Sequence, residues 1–114
     1  MTIPSYRSSY DPGSFTFGDL VLNVPAGTAD NDILIAVIEV GESGTPSTAN
    51  GSFTGVVNAT SGGMTLYVGW KRAASESGSY TFTRTGGNWQ NGFMVAVQNC
   101  ILSGSPFDVV GTTN

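Results

Sequence analysis

The clearest pattern in the chain is the alternation across Met64–Arg72, MTLYVGWKR. Met64, Leu66, Val68 and Trp70 fall on one side of a two-residue period; Thr65, Tyr67, Gly69 and Lys71 fall on the other. That period marks a β-strand with one buried face, and the larger apolar set is expected to point inward. A second alternating run, residues 80–85, follows a polar break. The two runs read as antiparallel partners around a turn at residues 75–79, which adds Tyr80 and Phe82 to the inward face.

The rest of the chain fits around this pair. Residues 15–17 read as a short strand. Residues 20–24 follow with Leu20, Leu22 and Val24 inward, and Pro25 ends that strand because it has no N–H to give a ladder. Residues 33–40, ILIAVIEV, are apolar on both faces apart from Glu39. Such a strand is expected in the middle of a sheet, covered on one face by the core and open on the other to a partner subunit; a buried helix is the competing local reading, disfavoured by the β-branched residues and the short length. Residues 41–52 are a loop, residues 53–58 resume an extended pattern, and residues 59–63 turn into Met64–Arg72. Trp89 sits at the tip of a Gly/Asn loop. Residues 93–102 are again apolar on both faces, and residues 107–110 form a last short strand. About seven to nine short strands, with turn signals at intervals of about eight to twelve residues, predict an antiparallel all-β sandwich of jelly-roll type. Residues 1–13 read as an extended N-terminal arm, with a frayed terminus as the alternative, and residues 14–114 as a single sandwich domain.

Composition agrees. Charged residues are only 11% of the 114, and Gly is abundant at 16, as in a turn-rich β protein with a polar, nearly uncharged surface. The net charge is −4, and the four bases, Arg7, Lys71, Arg72 and Arg84, form no cluster. Nucleic acid is therefore not an expected partner. No apolar run is long enough for a membrane-spanning helix and the N-terminus shows no signal-peptide pattern, so a reducing cytoplasm is the expected place of synthesis. The lone Cys100 lies in an apolar run and reads as a small buried thiol.

Candidate chemistry is sparse. The chain has no His, which removes the commonest general base and the commonest metal ligand. Asp30 and Asp32, with Asn31 and the Thr28 carbonyl, could hold Ca²⁺, but the loop lacks the regular spacing of a calcium site and turn chemistry is the simpler expectation. Glu39 is the oddest charge: a buried acid, the end of the buried part of its strand, or the partner of a base such as Arg84. No catalytic, cofactor or metal residues are assigned. Partner binding is assigned to Tyr6, Arg7 and Tyr10 of the arm and to Trp89, which serves as an interface anchor, a sugar platform or a cap on the sandwich. Trp70 falls in the inward set and is assigned to the core.

Three stretches carry a resemblance: VPAGTADNDILIAVIEV, LYVGWKRAASESGSYTFTRTGG and MVAVQNCILSGSPFDVVG. Together they resemble a β-sandwich domain family of bacteriophage virion proteins, over roughly residues 20–111. Pro25, Gly27, Asp32, Tyr80, Phe82, Pro106 and Asp108 carry the match, as turn, core and corner residues. The family has a Gly-Trp-Thr step where this chain has Ser52-Phe53-Thr54. Many relatives also continue past the Pro-Phe-Asp segment.

The resemblance implies a non-enzymatic structural protein of a phage particle, located in the virion and assembled in the host cytoplasm. A free-standing domain of this kind fits a capsid decoration or cement protein that binds at capsomer junctions. Its expected partners are the major capsid protein and copies of itself in a homotrimer, without nucleic acid or membrane. The alternative it implies is a tail-fibre or receptor-binding module that recognises a host glycan.

Overall fold

The computed structural model describes residues 3–47 and 52–107. Among them the chain forms no helix and nine strands: β1 (Ser5–Tyr10), β2 (Leu20–Asn23), β3 (Ile33–Gly41), β4 (Thr45–Pro46), β5 (Thr54–Ser61), β6 (Met64–Arg72), β7 (Ser79–Phe82), β8 (Arg84–Thr85) and β9 (Gln90–Gln98). Five of them make the main sheet, in the order β1-β9-β3-β6-β5, with every pair antiparallel. β2 pairs with β7, and β4 with β8, to make two short ribbons. The result is an all-β, sandwich-like fold.

The doubly apolar β3 takes the central position that its composition predicts. Leu34, Ala36, Ile38 and Val40 point to the inner side of the sheet, where Met94 and Ala96 of β9 and Tyr67 of β6 join them. Leu20 and Leu22 of β2 and Phe82 of β7 close the same core from the second layer. Phe53 packs its ring edge-on to Tyr80 at 5.1 Å and tilted to Phe82 at 5.4 Å. Full burial of side chains this large stabilises the fold by roughly 1.5–3 kcal/mol each. The buried Gln90 ties the layers together: its side-chain amide donates to the carbonyls of Gly18 (3.0 Å) and Phe82 (2.8 Å).

Several expectations are corrected. The inward face of β6 is the opposite one: Thr65, Tyr67 and Gly69 are buried, whereas Leu66 is 44% exposed and Met64, Val68 and Trp70 are half-buried. Register supplies the reason. Gly55, Gly69, Ala36 and Met94 lie side by side across four strands. Gly55, Gly69 and Ala36 leave a trough in this row that the Tyr67 ring fills, so that a Cβ at Gly69 would collide with it. The bulkier set goes outward.

β6 and β7 are not partners either; β6 lies between β3 and β5, while β7 lies in the other layer beside β2. The hairpin partner of β6 is β5, through Gly62-Gly63, whose φ values of 60° and 79° suit the two-residue turn that matches strand twist. Residues 59–61, expected to turn, belong to β5. Residues 5–10 are not a free arm: they are the edge strand β1, hydrogen-bonded along β9. Residues 15–17 make only the bridge Thr16–Gln90, and the long loop at 41–52 contains the short β4. Phe107 is not in a strand, and residues 108–110 lie outside the described residues.

Candidate functional site

The outer side of the main sheet carries the apolar residues that the core does not use. Ile35 and Val37 of β3 stand beside Trp70 and Val68 of β6 and beside Val95 and Phe93 of β9. Glu39 stands between Leu66 and Asn91. Two-sided apolarity in β3 and β9 therefore has a physical consequence: one face makes the core and the other makes a continuous apolar surface.

One end of this surface is covered by the chain itself. After β9 the segment 100–107 turns back over the sheet. Arg72 donates to the carbonyls of Ile101 and Gly104, and Phe107 meets Trp70 edge-on at 6.4 Å. Ile33, on the outer parity of β3, is thereby reduced to 1% exposure. The other end is open. There Asp11, Val37, Glu39, Leu66, Asn91, Gly92 and Phe93 line a depression of about 260 Å³, with Phe93 still 38% exposed.

A second apolar group lies on the segment before β2 and the loop before β9. Phe15 and Phe17 contact each other edge-on at 5.2 Å, and Trp89 reaches Phe15 at 6.0 Å. These three rings alone line a shallow pocket. The Trp89 indole lies against Gly41, whose N–H donates to the Trp89 carbonyl (2.9 Å). Trp89 is half-buried, while Phe15 and Phe17 are 55% and 68% exposed.

The residues assigned to partner binding are dispersed. Tyr6 is exposed on the edge strand, its hydroxyl 3.1 Å from Ser9 Oγ. Tyr10 turns inward and packs against the core. Arg7 is engaged within the chain: its guanidinium donates to Asp32 Oδ2 (2.5 Å) and Oδ1 (3.2 Å). Trp89 alone belongs to an exposed apolar group.

The acidic loop is likewise occupied by turn chemistry. Asp32 also accepts from the Ala29 N–H, and Asp30 accepts from the Ser75 N–H. No group of three or more His, Cys, Asp or Glu side chains with metal-holding geometry occurs among the described residues. The Glu39–Arg84 pair does not form. Arg84 instead donates to the carbonyls of Phe17, Gly86 and Gly87, and Glu39 is exposed on the outer face. Cys100 is half-buried, and burial pushes its thiol pKa up.

The crossing from β6 to β7 is held by three titratable groups. Glu76 accepts from the Lys71 ammonium and from the Tyr80 hydroxyl. For Glu76, burial favours protonation, but the bonds from Lys71, Tyr80 and the Ala74 N–H outweigh it and hold the carboxyl below the usual range. Burial works against the Lys71 charge, yet the bonds to Glu76 and Tyr80 leave its pKa raised. Tyr80 is raised by burial and by its bond to Glu76.

Leu66, Phe93, Asp11 and Glu39, the residues of the open depression, were not singled out as a site by the sequence pattern. The parity of Glu39 was the available signal: it shares a face with Ile35 and Val37, and an exposed acid in that register marks the solvent side. Compared with family models, with curated proteins and with solved structures, the chain matched none.

Proposed function

We propose that this domain is a non-enzymatic assembly module of a bacteriophage particle, used as a capsid decoration or cement protein. The observation that carries the reading is the open apolar half of the outer sheet face, where Val37, Leu66 and Phe93 remain uncovered on the five-stranded sheet. An exposed apolar face on a sparsely charged domain suits burial against another protein. In this reading the face docks on the major capsid protein at capsomer junctions. The uncharged Phe15–Phe17–Trp89 group contacts copies of the same chain in a homotrimer, since three apolar rings can meet their own copies without burying charge. Repetition over the particle turns modest single contacts into tight attachment. The strand order favours a jelly roll: β1-β9-β3-β6 is one sheet of that topology, and β2, β7–β8 and β4 follow the other. The departure is β5, which pairs with β6 instead of β4.

The test is quantitative mass spectrometry of purified particles from the source. A copy number in simple ratio to the major capsid protein, together with loss of particle heat resistance when the protein is removed, is the expected result. Complete absence from particles would overturn the reading. The second reading, a tail-fibre or receptor-binding module for a host glycan, rests on Trp89. It is the weaker one, because the pocket beside Trp89 is lined by rings alone and offers no polar side chain to orient sugar hydroxyls. A handful of copies per particle and competition by soluble glycan would favour it.

A further inference from the structure

The open end of the outer face has a chemistry more specific than apolar. Val37, Leu66 and Phe93 form a floor, and two carboxylates, Asp11 and Glu39, line the same depression with Asn91. Asp11 keeps one oxygen on the Gly13 N–H (2.7 Å), and Glu39 forms no ion pair with any described residue.

The chain has four basic side chains, and each is already held internally. Arg7 is on Asp32 and Lys71 on Glu76; Arg72 and Arg84 are on backbone carbonyls. Residues 108–114, DVVGTTN, contain no base. Neither a second copy of the chain nor its own C-terminal residues can therefore bring a spare basic side chain to Glu39 without breaking an internal contact. An apolar partner alone would bury two carboxylates unpaired, which is strongly unfavourable.

We propose that this depression is a docking pocket for a lysine or arginine side chain of a different protein. The aliphatic stem of the base lies on Val37, Leu66 and Phe93, and its cationic head reaches Glu39 and Asp11. Long basic side chains are suited to such a site, because they cover apolar surface with the stem and keep the charge at its rim. The Phe93 ring adds a cation–π contact. This rests on the assembly reading above and deepens it: the partner surface carries a base flanked by apolar residues.

The test uses the full chain in solution with a defined probe, the acetylated and amidated tripeptide Leu-Arg-Leu, followed by backbone amide NMR. Saturable shifts are expected at Val37, Glu39, Leu66, Asn91 and Phe93. Glu39→Gln should weaken the apparent affinity about fivefold, the scale of one exposed charge pair. Asp19→Asn, which makes the same change in net charge at an exposed site elsewhere, should leave it unchanged. The neutral probe Leu-norleucine-Leu should bind at least as weakly as the arginine probe binds Glu39→Gln. Shifts centred elsewhere, no shifts, binding of the neutral probe as tight as that of the arginine probe, or unweakened binding of the arginine probe to Glu39→Gln would overturn the pocket. None of these outcomes bears on particle copy number, so the pocket and the virion reading fail separately.

Discussion

The ring of Tyr67 lies over Gly69, two residues further along the same strand, and occupies the space that a side chain at position 69 would need. Gly69→Ala should therefore overpack the inner face even though alanine is the better strand residue. Inserting one carbon against a stiff ring in a close-packed core costs about 1–3 kcal/mol. Urea denaturation should show a lower midpoint with an unchanged slope; an unchanged midpoint would mean that the ring yields freely.

The same ring carries an orphan. The Tyr67 hydroxyl is buried with no hydrogen-bond partner among the described residues, and burial alone raises its pKa. Tyr67→Phe removes an unsatisfied polar atom and keeps the packing. It should be neutral or stabilising by up to about 1 kcal/mol, measured as the shift in thermal midpoint. A clear loss of stability would point to an ordered water on the hydroxyl.

How much of this was legible in the sequence depends on whether one face or two were apolar. Leu20 and Leu22 share one parity of β2, opposite Val21 and Asn23, and the structure buries the two leucines as the pattern predicts. In β6 the pattern points the wrong way, because its inner side is built from Thr65, Gly69 and the one ring of Tyr67 while Leu66 and Trp70 serve the outer face. Hydrophobicity ranks side chains by transfer free energy; it does not register that Gly69 beside Ala36 makes room for Tyr67. Long-range pairing was equally hidden. Residues 80–85 follow β6 closely and alternate well, yet no local signal distinguishes a hairpin from a crossing to the other layer. The same holds for β1, whose polar sequence suits an exposed edge strand as well as a free arm. The open depression has no local signature in the sequence, because Asp11, Glu39, Leu66 and Phe93 come together only through the register of three strands with the end of β1.

Arg7 holds the edge strand to the loop before β3. Its partner Asp32 is 3% exposed, so Arg7→Ala leaves a buried carboxylate with only the Ala29 N–H. The expected cost is about 2 kcal/mol, below that of a fully buried pair because the Arg7 side chain remains partly exposed. Hydrogen exchange of the β1 amides should quicken more than that of the β3 amides. Equal acceleration throughout would mean that the pair acts on global stability and does not anchor β1 locally.

The Lys71–Glu76–Tyr80 group sets both ends of the pH profile. Glu76 has a lowered pKa in the folded state, so its contribution is present above the ordinary carboxylate pKa of about 4.5 and is lost as pH falls through the lower folded value. Lys71 and Tyr80 have raised values, so theirs are present below about 10 and are lost as pH rises through the folded values. Stability should be flat from about 4.5 to about 9, above which the raised Cys100 thiol begins to add its own loss. Glu76→Gln should flatten the acid limb and lower the plateau; an acid limb identical to that of the unmodified protein would assign it to other carboxylates.

Self-association supplies the last prediction. Phe15 and Phe17 contribute little to the core, being more than half exposed, yet they extend the apolar surface of Trp89. Phe15→Ser with Phe17→Ser should therefore leave the thermal midpoint of the monomer within about 4 °C, the shift that corresponds to about 1 kcal/mol in a domain of this size. Trp89→Ala differs, because its indole also covers Gly41 at the end of β3, and it should lower both stability and association. Sedimentation velocity across a concentration series separates the two effects. If the three rings face copies of the chain in a trimer, the unmodified protein sediments as a trimer and the double variant as a monomer at the same concentration. If the double variant keeps the oligomer, the contact between copies lies elsewhere, and the rings are left as a surface for another protein.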